Sequence, residues 1–236
     1  MSKLFKSEFY DSDPGEKASF GELFANFYCE HKILFFMIVF LVIAAVVLCV
    51  QSANKTDYEF YLMYCGPLYA ATSDVFGNVV DSASSICSVG DAEVEVAFSP
   101  IVYVPPKLAE YYQQEGIEYN GAYNSEALQN FDYALAAGEY CVMLLDRSLY
   151  DDTKDLNVFV PLSDLGIVSD AAVDECALAL SGIDLSKKEG FSSFPDDTVL
   201  VLRKMSFIQS IFINKKERNK VYEFQKECFI SLVNCK

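Results

Sequence analysis

Residues 125–146 read SEALQNFDYALAAGEYCVMLLD, and two unlike patterns meet at Gly138. Over 125–137 the composition and spacing predict a helix, with Asn124 or Ser125 as its N-cap and Gly138 as its stop. Over 139–146 the apolar residues run without a break and close on an acid. That is the pattern of a central parallel strand buried on both faces, not of a strand with one wet side. A helix feeding such a strand is the repeating unit of an α/β protein.

The flanks extend the same alternation. Upstream, YEFYLMYC at 58–65 reads as an aromatic-rich strand stopped by Gly66-Pro67. Residues 68–86 suit a helix, and 92–104 a long or broken strand ended by Pro105-Pro106. The Tyr- and Gln-rich stretch 107–122 predicts a loop or short helical excursion. Downstream, 158–160 offers a short strand, 162–166 a turn, 170–180 a helix, 197–203 (DTVLVLR) a strand and 214–234 a closing helix. Strands alternating with helices imply right-handed crossovers, and so an α/β fold with a mostly parallel sheet flanked by helices.

Ahead of this domain stands ILFFMIVFLVIAAVVLCV at 33–50, eighteen residues with no charge, amide, Gly or Pro. At about 1.5 Å per residue it reaches about 27 Å, close to the hydrocarbon thickness of a bilayer. No polar stripe can be drawn on it, so a transmembrane helix is expected. The segment before it is too long and acidic for a cleaved signal, and no A-x-A-like site follows. The expected organisation is a short cytoplasmic tail at 1–32, the span at 33–50, a linker at 51–56 and an extracytoplasmic domain at 57–236. Phe20, Leu23, Phe24 and Phe27 share one helical face and suit an interfacial lead-in or an extension of the transmembrane helix. His31 and Lys32 before the span against Lys55 after it favour an inner tail and an outer domain, anchored in the plasma membrane.

The net charge of −16 is uneven: 52–184 carries −18, while 185–236 carries +4. An acidic body repels phosphates, so nucleic acid is not an expected partner. Eight cysteines are present without CxxC or a Cys/His cluster. Mostly unpaired, buried thiols are expected, with room for one disulfide.

The domain has no histidine, since the only one is His31. Serine or cysteine triads and His-metal sites are thereby excluded from it. No phosphate-cradling glycine loop is present, and no cofactor is implied. Carboxylates remain: Asp146, Asp151, Asp152 and Asp155 crowd one strand end, either as a solvated loop or as a metal or acid–base site. Ligands of open α/β sheets bind beyond the carboxyl ends of strands. That rule selects Gly66, Tyr69 and Asp146 as candidate ligand-binding residues, together with the Pro105-Pro106 turn. Asp146 as the cap of a following helix is the alternative. Tyr111, Tyr112, Tyr119 and Tyr123 suggest a contact surface, or packing of their own segment. The basic cluster Lys215, Lys216, Arg218 and Lys220 opens the last helix as a solvated face or a docking point for anionic headgroups or an acidic partner.

The succession ALQNFDYALAAGEYCVMLLDRSLYDD, VPLSDLGI, GIDL and DDTVLVLRK before a final helix resembles the extracytoplasmic domain of single-pass anchored proteins of Clostridia-like Gram-positive bacteria. The fold of those proteins is similar to periplasmic solute-binding proteins, and the resemblance covers roughly 57–235. It implies a solute-binding-protein-like domain that is not an enzyme. Such a domain captures a small solute or peptide, or docks to a membrane partner. An assembly component of a cell-envelope complex with no small ligand is the alternative, and a hydrolase using carboxylates alone is a third class.

Overall fold

The structure is a computed structural model that describes residues 32–53, 58–67, 73–88, 93–138, 140–205 and 215–235. The chain divides into two units, Met1–Thr56 and Asp57–Lys236, each taken by itself.

In the first unit, helix α1 spans Lys32–Ala53, with no acid in its first turn and no base in its last. Phe40, Leu41, Val42 and Ile43 are 70%, 62%, 56% and 57% exposed. Four consecutive residues point in four directions around a helix, so α1 shows apolar side chains to its surroundings on every side. Among the described residues no helix is long and apolar enough to cross a membrane. The described side chains of α1 stop at 47 and skip 35, so the stretch 33–50 is described only in part. The expected interfacial lead-in at Phe20–Phe27 lies outside the described residues.

The second unit is built on a five-stranded sheet. Its strands are β1 Phe60–Gly66, β2 Val96–Val102, β3 Val142–Asp146, β4 Ala177–Ala179 and β5 Thr198–Leu202, in the order β2-β1-β3-β5-β4. Helix α2 (Ser73–Cys87) joins β1 to β2; α3 (Pro106–Gln114) and α4 (Gly121–Ala137) join β2 to β3. Helix α5 (Arg147–Thr153) follows β3, and α6 (Lys215–Val233) closes the domain.

Side chains alternate strictly across the sheet. Phe60, Leu62 and Tyr64 of β1, Val142 and Leu144 of β3, and Leu200 and Leu202 of β5 pack with Val79 and Ala83 of α2 and Phe229 and Leu232 of α6. Met63, Cys65, Met143, Leu145, Val199 and Val201 face the other way, onto Phe131 and Leu135 of α4 and Leu149 and Tyr150 of α5. Helices thus cover both faces, which is why 141–145 is apolar at every position. The mixed α/β fold is as expected.

The expected strand directions need correction. β1 pairs parallel with both β2 and β3, but β5 runs antiparallel to β3 and to β4. The reason lies in 147–197, which lacks a helix long enough to carry the chain across the sheet between β4 and β5. Short 3-10 turns at Leu180–Gly182, Asp184–Lys187 and Phe191–Ser193 keep β5 starting at the end where β3 and β4 finish. The expected helix at 170–180 is also absent. Asp174 accepts hydrogen bonds from the amides of Cys176 (2.9 Å) and Ala177 (3.1 Å), a local turn that competes with helix, and β4 follows it. The strand expected at 158–160 reduces to a single bridge between Phe159 and Arg203.

Helix α4 begins four residues earlier than expected. Asn120 is its N-cap, accepting from the Tyr123 amide, while Asn124 turns to clip both backbone groups of Val104 at 2.7 and 3.0 Å. Its end is as read from the sequence: Gly138 takes φ 72°, the left-handed conformation that glycine adopts without strain. Buried Arg203 donates from Nε to the Leu135 carbonyl at 2.7 Å, satisfying one of the last carbonyls of α4.

Candidate functional site

The chain leaves β1 for β2 on one side and returns to β3 on the other, so the order β2-β1-β3 makes a topological switch point between β1 and β3. Helical connections diverge there and leave a crevice at the carboxyl ends of the strands. A cleft of about 610 Å³ lies at this end. One wall is the entry to α3, with Pro105, Pro106, Lys107 and Tyr111. Opposite stand Asp146, Arg147, Asp151 and Asp152, with Pro67 from the end of β1 and Asp197 from the start of β5.

Asp146 is buried, 3% exposed, and caps α5. Its Oδ1 accepts from the Ser148 amide at 2.9 Å and from the Ser148 hydroxyl. The capping role set against ligand binding in the sequence is therefore present, at a residue that also lines the cleft. Gly66 stands beside it: a Cβ there would lie 3.3 Å from the Asp146 Cβ and 2.8 Å from the Tyr64 hydroxyl oxygen. That hydroxyl donates to the Pro67 carbonyl at 2.6 Å, fixing the chain as it leaves β1. Gly66 and Asp146 are thus brought together, and the Pro105-Pro106 turn joins them at the same end. Tyr69 lies outside the described residues.

The field of Asp146 reaches its neighbours. Burial first, and then the charge of Asp146, hold the Asp197 carboxyl above the usual carboxylate range. Burial, with the charges of Asp146 and Asp152, pushes the Tyr103 phenol up. The Cys65 thiol is raised by burial first and by Asp146 next. Asp151 is the opposite case: Lys154 bonds its Oδ1 at 2.8 Å and Arg147 bonds its Oδ2 at 3.1 Å, and together they lower its pKa. Two cations near the cleft are therefore engaged with one carboxylate. Four carboxylates line the cleft against Lys107 and Arg147, so it is net negative. Among the described residues no group of three or more His, Cys, Asp or Glu is arranged to hold a metal.

The tyrosines of 107–123 fall on two helices and the segment between them. Tyr111 is 52% exposed at the cleft, with its ring 6.3 Å from that of Tyr112, whereas Tyr123 is exposed on α4. The side chains of Lys215, Lys216 and Arg218 lie outside those described. Asp197 escaped the sequence reading because a parallel β5 would have placed it at the far end of the sheet; the antiparallel register sets Thr198 opposite Asp146 and brings Asp197 to the cleft. No family model, no curated protein and no solved structure matches this chain.

Proposed function

We propose that this protein is a membrane-anchored, extracytoplasmic binding domain that captures a small solute or peptide in the cleft between the ends of β1 and β3. The observation that carries the reading is the cleft itself, at the switch point of the sheet, with charged, aromatic and proline residues converging from four separate segments. Rigid strand ends position Pro67 and Asp146, and the proline turn positions Lys107 and Tyr111. Polar groups so placed orient a ligand, and the Tyr111 ring supplies contact area. The solute-binding-protein-like character drawn from the sequence belongs to this proposal. So does the anchor at 33–50, supported by the apolar side chains that α1 exposes on every side.

Tyr123 and Tyr133, 58% and 69% exposed on α4, favour docking to a protein partner as the second reading. Thermal shift of the full chain in detergent, against sugars, amino acids, amines and short peptides, separates the two. Capture predicts that one class raises Tm by about 5–10 °C at about 100 times its Kd. Tyr111→Ala abolishes that shift, while Tyr123→Ala leaves it. A panel without any stabilising solute, combined with a membrane partner whose copurification is lost in Tyr123→Ala, overturns capture in favour of docking.

A further inference from the structure

The six cysteines described in 57–236 are all unbonded, and two of them sit in one core on neighbouring helices. Cys87 is the last residue of α2 and Cys228 lies within α6, 141 positions further on. The two helices pack together on one face of the sheet, and both residues are buried in the same core, at 4% and 1% exposure. Cys87 lies close enough to Cys228 to be the first cause of its raised pKa, ahead of burial. Neighbouring thiols on two packed helices meet the first requirement of a disulfide, which joins only residues whose Cα atoms lie within about 7 Å. Cys65, by contrast, packs in the core on the opposite face of the sheet.

We propose that Cys87 and Cys228 form a disulfide that staples α2 to α6 when the chain meets a small-molecule disulfide such as oxidised glutathione. One protein thiol loses its proton and attacks a glutathione sulfur, giving a mixed disulfide and releasing one glutathione thiolate. The second protein thiol, deprotonated in turn, attacks the protein sulfur of that mixed bond and releases the other. The protein loses two protons and two electrons, and one oxidised glutathione becomes two reduced ones. Its contact with Cys87 and its burial both raise the Cys228 pKa, so Cys228 holds little thiolate in the folded chain. The bond therefore forms during folding or when the α2–α6 contact opens, and slowly in the closed domain. Once formed it closes a loop long enough to restrict the unfolded chain strongly.

The test refolds the reduced full chain in detergent with a mixture of oxidised and reduced glutathione, then labels it with a polyethylene-glycol maleimide in denaturant. Six labels are expected before reduction and eight after it, with a Cys87–Cys228 peptide in the digest and a Tm about 10 °C above that of the reduced protein. Cys87→Ala is expected to take seven labels with or without reduction. The wild-type digest needs no variant to fold and decides the matter. Its lack of a Cys87–Cys228 peptide, through eight labels without reduction or through linkage of either residue to another cysteine, overturns the proposal.

Discussion

Gly66 and Asp146 are packing neighbours across β1 and β3, separated so closely that one added carbon on Gly66 would stand 3.3 Å from the Asp146 Cβ. The same carbon would lie 2.8 Å from the Tyr64 hydroxyl oxygen, which is held by its bond to the Pro67 carbonyl. Gly66→Ala is therefore expected to destabilise the domain by about 1–3 kcal/mol, the usual range for overpacking. Tyr64→Phe removes the nearest obstructing atom. In that background the Gly66→Ala cost should shrink, and urea unfolding of the four proteins of the cycle measures the coupling.

Asp146 joins two roles that separate by substitution. Asp146→Ala removes the cap of α5 and should cost about 1 kcal/mol. Asp146→Asn keeps an acceptor for the Ser148 amide but removes the charge that helps to raise Asp197 and Tyr103. Carboxyl-carbon NMR titration should show Asp197 ionising at lower pH in the Asn variant than in wild type. An unchanged Asp197 would mean that its value is set without the charge of Asp146, by burial first.

The cleft was legible in part, and for a physical reason. Residues 139–146 announced a strand buried on both faces, and the strand-end rule then selected Asp146 and the proline turn, which line the cleft, Gly66, which packs beside Asp146, and Tyr69, which lies outside the described residues. Asp197 depends on the direction of β5, which is fixed by how the turns between 180 and 197 deliver the chain. No periodicity encodes that. The helix expected at 170–180 failed similarly, since its apolar residues fit either structure and the Asp174 turn decided between them.

The raised Asp197 pKa carries a sign. In the folded protein Asp197 releases its proton at higher pH than in the unfolded chain, so its favourable contribution is present below the ordinary carboxylate range. That contribution is lost as pH rises through the raised value. Asp197→Asn should consequently be more stable than wild type at pH 7, with the difference vanishing near pH 3. Asp151 behaves oppositely: its contribution is present above the ordinary range and lost as pH falls through its lowered value. Melting curves at both pH values for Asp197→Asn and Asp151→Asn test the pair of signs.

Leu41 lies at the middle of 33–50 and is 62% exposed on α1. If this helix sits in a bilayer, an arginine at its centre costs about 2.5–3.5 kcal/mol on the insertion scale. Leu41→Arg should then move a large fraction of the chain out of the carbonate-resistant membrane pellet. An arginine near the helix end is cheaper, because its long side chain reaches the headgroups, so Ile33→Arg should leave the chain in the pellet. A helix exposed to water predicts no difference between the two: both substitutions replace an exposed apolar group by a charge and neither changes fractionation. Equal behaviour of the two variants would therefore count against the span, and a loss confined to Leu41→Arg supports it.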